Sequence, residues 1–214
     1  MPFANRGLDT EIFRITHYRN LNFTLRNGIF SKNSENCDPN YINIGHQQLI
    51  NDRGGIRIRV APYGVLNDYV PFYFAPRSPM LYSISRGNVA GFNGNQSDIA
   101  YIVSNIRSIQ QAERPFVFTN AHAYLAFTAQ YNNIQNLTSI DWNIMNARYW
   151  NRTIDDPDRR SRRMAELLVY QFVDVTCILE VVLFNQQKLD YTNQLIEELN
   201  LNIPTRICRE WYFI

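Results

Sequence analysis

The sequence lacks the standard motifs of metal-dependent and nucleotide-hydrolysing enzymes. Its three histidines, His17, His46 and His122, lie far apart, and it contains neither HExxH nor a Cys/His cluster, so no metal site is expected. There is no GxGxxG turn and no Walker A loop, which excludes the two common glycine-rich phosphate cradles. The absence of a GxSxG elbow argues against an α/β-hydrolase. Any enzymatic activity therefore rests on a less common set of residues.

Cysteine is also scarce, since the chain has only Cys37, Cys177 and Cys208, an odd number at long spacings without a CxxC pair. This usage is typical of a protein in a reducing compartment rather than one built on disulfides. The opening MPFANRGLDTEIF has no apolar region of a signal peptide, and no apolar run reaches the length of a membrane span. We therefore expect a soluble, cytoplasmic protein that does not bind a membrane.

Neither sign of charge is in large excess, because the 214 residues carry a formal net charge of +2. Lysine is rare, but six arginines and three aspartates are concentrated in residues 148–163. Arginine is preferred where planar contact with phosphate or carboxylate is needed, so this segment indicates a specific anionic ligand. The alternative is a solvated loop whose arginines pair with Asp155, Asp156 and Asp158.

The length and a hydrophobic content of 45% fit one sizeable domain. The apolar patterns predict strands at EIFRITH, DYVPFYFAPR, DIAYIVSNI, FVFTNAH, LLVYQFV, CILEVVLF and RICREWYFI. Helices are predicted at YRNLNFTLRN, where Gly28 is a plausible C-cap, near HQQLIN and at QQKLDYTNQLIEELN. Residues 31–68 and 124–165 are predicted to be long loops with some helix, and YLAFTAQY is the core-like run of the second. The pattern predicts an α+β domain built round antiparallel strands.

Three side chains at predicted strand positions share a chemical logic. His17 ends the first strand, Tyr73 lies between Phe72 and Phe74, and Glu166 opens the LLVYQFV strand. Cleavage of the glycosidic bond of NAD places positive charge on the ribose, and a carboxylate can stabilise that charge. An aromatic ring can stack on the nicotinamide, and a histidine can bond to ribose hydroxyls. The same three residue types occur by chance in most proteins of this size, so His17 and Tyr73 could equally be core residues.

A resemblance to a known family is carried by FRITHYRNLNFTLRNGIF, NIGHQQLI, DYVPFYFAPRSPMLY, FVFTNAH and DPDRRSRRMAELLVYQF. Together these segments resemble the DarT family of bacterial toxins, which ADP-ribosylate single-stranded DNA with NAD. The resemblance implies one ADP-ribosyltransferase domain over residues 1–214, with a split antiparallel β core, flanking helices and a long substrate loop. It also implies NAD as co-substrate without a metal, single-stranded DNA as acceptor and a macrodomain antitoxin as partner.

The resemblance also implies roles for individual residues. Glu166 matches the catalytic glutamate, and Arg53 is selected as the catalytic arginine, although Arg57 and Arg59 in the same stretch remain alternatives. The NAD-binding set that it implies is His17, Asn22, His46, Tyr73 and Met80. The arginines are expected to hold DNA phosphates and the neighbouring rings to stack on bases. The expected nucleic-acid-binding set is Arg148, Tyr149, Trp150, Arg159, Arg160, Arg162 and Arg163.

The expected activity is transfer of ADP-ribose from NAD to a base of single-stranded DNA, with thymidine as the preferred acceptor and nicotinamide as the released product. In this interpretation Glu166 stabilises the ribosyl cation, and Arg53 helps to activate the base nitrogen. Alternatives with the same fold are modification of guanosine in DNA and modification of an RNA or a protein. A further alternative, from a different functional class, is a nucleic-acid binding module without catalysis.

Overall fold

The computed structural model describes residues 2–213. The strands are β1 (Glu11–His17), β2 (Ile29–Phe30), β3 (Tyr69–Tyr73), β4 (Ile99–Asn105), β5 (Phe116–His122), β6 (Gln130–Tyr131), β7 (Ala165–Tyr170), β8 (Phe172–Val173), β9 (Glu180–Leu183) and β10 (Thr205–Ile207). The α-helices are α1 (Leu21–Asn27), α2 (Gln47–Arg53), α3 (Pro79–Ser85), α4 (Ile106–Gln111), α5 (Trp142–Asn146), α6 (Arg159–Arg162) and α7 (Gln186–Glu198). The predicted α+β class is confirmed.

Eight strands form one sheet in the order β10-β9-β4-β1-β3-β7-β5-β6, while β2 pairs with β8 separately. The pairs are antiparallel except for β9 and β10, which are parallel. β1 pairs with β4 along its whole length but meets β3 at the register pair Phe13–Tyr73. The ladder is therefore interrupted between β1 and β3, as expected for a split antiparallel core.

Alternation along β1 places apolar side chains on both faces of the sheet. Ile12 packs in a cluster with Leu21 and Leu25 of α1, whereas Phe13 and Ile15 pack in a second cluster with α3. Burial of a side chain of this size contributes about 1.5–3 kcal/mol to stability. Both faces of β1 are thus covered, and the strand forms a fixed wall beside the interruption in the sheet.

The predicted C-cap of α1 at Gly28 is confirmed. Its N–H donates to the carbonyl of Thr24, and its φ of 87° lies in the region that side chains disfavour. A Cβ at this position would also lie 2.5 Å from Cε2 of Phe172 and 2.6 Å from the carbonyl oxygen of Val173. Glycine therefore ends α1 and also allows β8 to approach it closely.

Three predicted elements differ from the structure. The RICREWYFI strand is only Thr205–Ile207, because a 3-10 turn follows and Tyr212 is buried with its hydroxyl donating to the carbonyl of Ile99; its last residue, Ile214, lies outside the described residues. YLAFTAQY is not a core segment, since Leu125 is 43% exposed and Phe127 is fully exposed. The DYVPFYFAPR strand ends at Tyr73, before Pro76, because the chain then turns into α3.

None of the helices described within residues 2–213 has the length and apolar character that a membrane span requires.

Candidate active site

A cavity of about 510 Å³ opens where the sheet is interrupted. Its walls include Arg14 and Ile15 of β1, Pro71 and Tyr73 of β3, and Glu166 of β7. The remaining walls come from α1, α2, α3 and the loop between β2 and α2, from the end of β5 and the loop after it, and from the arginine-rich segment around α6. This volume lies within the range of about 300–1,000 Å³ that is typical of small-molecule sites. The split therefore provides space for a ligand of nucleotide size.

A buried ion pair between Arg53 and Glu166 lies at the centre of this cavity wall. Nη1 of Arg53 lies 3.2 Å from both Oε1 and Oε2 of Glu166, and the side chains are only 11% and 4% exposed. Glu166 stands opposite Tyr73 in the β3–β7 ladder, and its N–H donates to Oγ1 of Thr119 at 3.2 Å. A carboxylate buried to this extent needs such a partner to remain charged. The fold thus holds the Glu166 carboxylate against a guanidinium in the cavity wall.

The second nitrogen of the same guanidinium, Nη2 of Arg53, is buried and has no hydrogen-bond partner among the described residues. Buried polar groups without a partner are rare in proteins and need an explanation. Because Arg53 lines the cavity, an oxygen or nitrogen acceptor of a bound ligand is the natural partner.

The contacts also distinguish Arg53 from the two arginines that the sequence left as alternatives. The guanidinium of Arg59 donates to the carbonyls of Ala126 and Thr128, at 3.1 and 2.7 Å. Arg57 is exposed, and it belongs with Val65 to a short β-bridge. The contact to Glu166 is made by Arg53, which ends α2.

His122, which the sequence analysis did not select, also lines the cavity. It ends β5 and stands opposite Ala165, next to Glu166 in the chain. Burial lowers the pKa of His122, the charge of Glu166 opposes that shift, and Arg53 and Arg160 add to it. A neutral imidazole beside the ion pair can both donate and accept a hydrogen bond. The signal that could have revealed it is the position of FVFTNAH, a strand whose last residue is polar.

Three of the five predicted NAD-binding residues line the cavity. Tyr73 and Met80 face each other, with the tyrosine hydroxyl 3.8 Å from Sδ of the methionine. Burial and the charge of Glu166 raise the pKa of Tyr73, so its hydroxyl stays protonated at neutral pH. His46, which precedes α2, is exposed at the cavity. A tyrosine ring and a thioether together form a surface suited to a flat aromatic ligand.

The other two predicted NAD-binding residues, His17 and Asn22, are not among the residues that line the cavity. Nδ1 of His17 accepts from the N–H of Arg19 at 3.2 Å, and its ring packs against Tyr18. Burial lowers the pKa of His17, a shift that Asp98 opposes. Asn22 is exposed on α1, where its Oδ1 accepts from Nε of Arg26. Both side chains are engaged in local contacts of their own segments, and the NAD-binding role expected for each of them stays a prediction.

Two of the expected phosphate-binding arginines are already engaged within the protein. Arg163 is 5% exposed and donates to the carbonyls of Ile144, Met145 and Pro76. Arg162 forms ion pairs with Asp156 and with Asp141, at 2.8 and 2.9 Å. The expectation for Arg163 is wrong, because a buried guanidinium cannot reach DNA. Arg162 instead follows the alternative interpretation of this segment, in which the arginines pair with nearby aspartates.

The expected base-stacking role of Trp150 is also wrong. Trp150 is 6% exposed and packs edge-on against Tyr82 and Phe213, so neither face of its ring is free for a base. Tyr149, by contrast, is 70% exposed, with the guanidinium of Arg148 at 5.6 Å from its ring. Aromatic character alone could not separate two adjacent residues that face opposite ways.

The remaining arginines of the segment have different environments. Arg160 is exposed and lines the cavity, as does Arg152. Arg159 donates to the carbonyl of Tyr149 at 3.0 Å and lies 3.9 Å from Asp156. The positive charge that faces the cavity mouth from this segment therefore comes from Arg152 and Arg160. Groups of three or more His, Cys, Asp or Glu that could hold a metal ion are absent from the described part of the chain.

Comparison with known proteins adds sequence and structural similarity to this geometry. The family model described as "ssDNA thymidine ADP-ribosyltransferase, DarT" matches residues 13–213. A protein of Escherichia coli O127:H6 named DNA ADP-ribosyl transferase is 36% identical over 202 residues, which is 94% of this chain and 93% of that protein.

Two solved structures of Thermus sp. 2.9 DarT are similar at 30% identity. The complex with ADP-ribosylated single-stranded DNA has a TM-score of 0.90 and covers 100% of this chain and 99% of that one. The complex with NAD⁺ has a TM-score of 0.84 and covers 96% of this chain and 98% of that one.

Proposed function

Because the chain belongs to the DarT family, described as single-stranded DNA thymidine ADP-ribosyltransferases, we propose that it transfers the ADP-ribose of NAD to thymidine in single-stranded DNA. Nicotinamide is the released product. The observation that carries the proposal is the buried Arg53–Glu166 pair in the wall of a cavity of about 510 Å³. Residues 1–214 act as one ADP-ribosyltransferase domain in this proposal.

Glu166 has the role of stabilising the positive charge that develops on the ribose. When the bond between C1′ and the nicotinamide nitrogen breaks, the electron pair leaves with nicotinamide and the sugar becomes oxocarbenium-like. A carboxylate held in place before the reaction stabilises this charge without a cost of reorganisation. The contact with Arg53 and the hydrogen bond to Thr119 support the role, because they fix the side chain and the backbone of Glu166.

Arg53 has the role of helping the acceptor base to react. The attacking base nitrogen gives up its proton, to the neutral imidazole of His122 or to water, before its bond to C1′ is complete, and transient negative charge therefore develops on the base. A guanidinium stabilises that charge through hydrogen bonds to base atoms. The unpartnered Nη2 supports the role, since it leaves one donor of Arg53 for the substrate while Nη1 binds Glu166.

Tyr73, Met80 and His46 bind NAD in this proposal, with Tyr73 and Met80 together forming the surface against which the nicotinamide end lies. His122 contributes a neutral imidazole beside Glu166 and is a hydrogen-bonding partner for ribose or base. Of the DNA-binding residues, Arg160 at the cavity and the exposed pair Arg148–Tyr149 retain their proposed roles.

The cellular setting follows from the same proposal. We place the reaction in the cytoplasm, which the free state of Cys37, Cys177 and Cys208 supports because reduced thiols are typical of that compartment. The resemblance to toxin–antitoxin systems supports a macrodomain antitoxin as the partner that opposes the modification.

The acceptor is tested with four oligonucleotides that differ in a single base, each incubated with the protein and NAD and analysed by mass spectrometry. Thymidine as acceptor predicts one added ADP-ribose on the thymidine oligonucleotide and none on the other three. A gain on the guanosine oligonucleotide supports the second DNA acceptor, and a gain on an RNA or protein supports the non-DNA acceptors. DNA binding without any gain supports a binding module.

A further inference from the structure

A fully exposed phenylalanine stands close to the cavity. In the loop between β5 and β6, Phe127 is 101% exposed and Leu125 is 43% exposed. A phenylalanine in this position gains none of the stabilisation that burial gives an apolar side chain. A single exposed aliphatic residue needs no explanation, but an apolar pair beside a ligand cavity does.

The backbone that carries Phe127 is held from both sides. The guanidinium of Arg59 donates to the carbonyl of Ala126 at 3.1 Å and to the carbonyl of Thr128 at 2.7 Å. Thr128 in turn donates through its N–H to the carbonyl of Leu125 and through its hydroxyl to the carbonyl of His122. The loop therefore presents the ring from a fixed position, and the exposure of Phe127 does not arise from a lack of local contacts.

The same loop is continuous with the candidate active site. His122 and Leu125 both line the cavity, and Phe127 follows two residues later. Arg152 and Arg160 are exposed on the cavity wall contributed by the arginine-rich segment. An apolar ring and guanidinium groups around one cavity match a single nucleic-acid strand, which offers a flat base and an anionic phosphate in every nucleotide.

We propose that Phe127, supported by Leu125, is a stacking platform for a base that neighbours the target base in single-stranded DNA. This inference rests on the proposed function and adds a residue that positions the DNA strand. Stacking on one side fixes the strand next to the target, so that the target base can turn into the cavity. The ring acts through the position of the strand and does not touch the reacting atoms.

The first experiment compares Phe127→Ala and Phe127→Trp with Leu179→Ala, a change at an exposed apolar residue that is not among those lining the cavity. Stacking of one base contributes roughly 5- to 150-fold to affinity. We expect Phe127→Ala to raise KM for a thymidine oligonucleotide within that range, while kcat at saturating DNA changes by less than about threefold. Phe127→Trp keeps the parental KM because an indole stacks at least as well, and Leu179→Ala leaves it unchanged.

The second experiment removes the base instead of the ring. Oligonucleotides with one abasic site at each position around the thymidine are tested with the parent protein and with Phe127→Ala. At one flanking position the two proteins should have the same KM, because the stacking partner is already missing. Two results would overturn the inference. One is that the abasic site and Phe127→Ala raise KM independently at every position, and the other is that Phe127→Ala has the KM of the parent. In that case a protein partner is the better occupant, and Phe127→Ala should weaken binding of the antitoxin instead.

Failure of this inference is separable from failure of the proposed function. If the parent protein modifies the thymidine oligonucleotide and Phe127→Ala is equally active at low DNA concentration, only the stacking role is wrong. If the parent modifies none of the oligonucleotides, the proposed acceptor is wrong before any variant is considered. Because Phe127 is fully exposed, its replacement removes no buried contact, and a thermal melt of each variant checks that the fold is retained.

Discussion

Glu166 and Arg53 form a pair in which each charge depends on the other. Both side chains are almost fully buried, and the two carboxylate oxygens share the same guanidinium nitrogen at 3.2 Å. A buried charge without its partner costs far more than a buried pair. The pair therefore has a structural consequence that can be measured without NAD or DNA.

Replacing Arg53 with methionine leaves the Glu166 carboxylate buried without an ion-pair partner. We expect a loss of about 3–5 kcal/mol in the free energy of unfolding. The double variant Arg53→Met with Glu166→Gln should recover much of that loss, because the uncompensated charge is gone. Urea denaturation of the two single variants and the double variant measures the coupling. Additive losses would mean that the two side chains do not interact in solution.

His122 should make stability depend on pH. Burial lowers its pKa below the ordinary value of 6.5, so the unfolded chain binds a proton at a higher pH than the folded protein does. Its contribution to stability is therefore full above pH 6.5 and is lost as the pH falls toward the folded pKa. His17, whose pKa is also lowered by burial, adds a similar dependence.

We expect His122→Asn to flatten the fall in stability below neutral pH, measured by denaturation at several pH values. His46→Asn, at an exposed position of the same cavity, is the matched control. If the stability of His122→Asn depended on pH as that of the parent does, His122 would be protonated as easily in the folded protein as in the unfolded chain.

At the scale of elements, the end of α1 shows how one glycine couples a helix to a strand. Gly28 has a φ of 87° and lies against Phe172, whereas Gly91 has a φ of 82° and open space around its Cα. Gly91→Ala carries only the conformational cost, about 1 kcal/mol. Gly28→Ala adds overpacking, which typically costs a further ~1–3 kcal/mol. Equal losses in unfolding free energy for the two variants would show that β8 moves away without cost.

The arginine-rich segment around α6 separates into residues that face outward and residues that support the fold. Arg160 is exposed at the cavity, while Arg162 is paired with Asp156 and Asp141. We expect Arg160→Gln to weaken binding of an oligonucleotide and to lower the slope of log K against log salt by about 0.7. Arg162→Gln should leave the slope unchanged and cost only a few tenths of a kcal/mol, as for other partly exposed pairs. If Arg162→Gln lowered the slope and Arg160→Gln did not, the DNA would lie on the other side of α6.

Much of this element structure was predictable from the sequence. The strands that contain His17, Tyr73 and Glu166 were found because their apolar residues follow a regular pattern. The same pattern could not show which of two adjacent residues of similar type is buried and which is exposed. Arg162 and Arg163, and likewise Tyr149 and Trp150, differ in burial, because the chain turns inward at Arg163, directly after α6, and at Trp150, in the loop after α5. That direction depends on tertiary packing and not on local periodicity.

The candidate site was predictable to a similar degree. Glu166, Arg53, Tyr73, His46 and Met80 were expected and do line one cavity. His122 was missed because a polar residue at the end of a strand is only a weak signal, and its proximity to Glu166 exists only once β5 pairs with β7. The expectation that Phe127 belongs to a core-like run was wrong, because apolar residues usually predict burial whereas this loop exposes the ring to solvent.

At the scale of the whole molecule, the side chains of the candidate site meet at the interruption between β1 and β3. β3 and β7 carry Tyr73 and Glu166, β5 carries His122, and α2 carries Arg53. In the proposed function NAD occupies the cavity, and the DNA strand approaches between the arginine-rich segment and the loop with Phe127. This arrangement fits a transfer between two substrates, with the charged pair at the point where they meet.

The most direct test of this account is the intact mass of a single-stranded oligonucleotide with one thymidine, after incubation with NAD and either the parent protein or Glu166→Gln. The account predicts a gain of one ADP-ribose with the parent and a rate about 100- to 1000-fold lower with Glu166→Gln, although the variant still binds NAD in calorimetry. An oligonucleotide without thymidine should gain nothing. Near-parental transfer by Glu166→Gln, or an equal gain on the oligonucleotide without thymidine, would contradict the account.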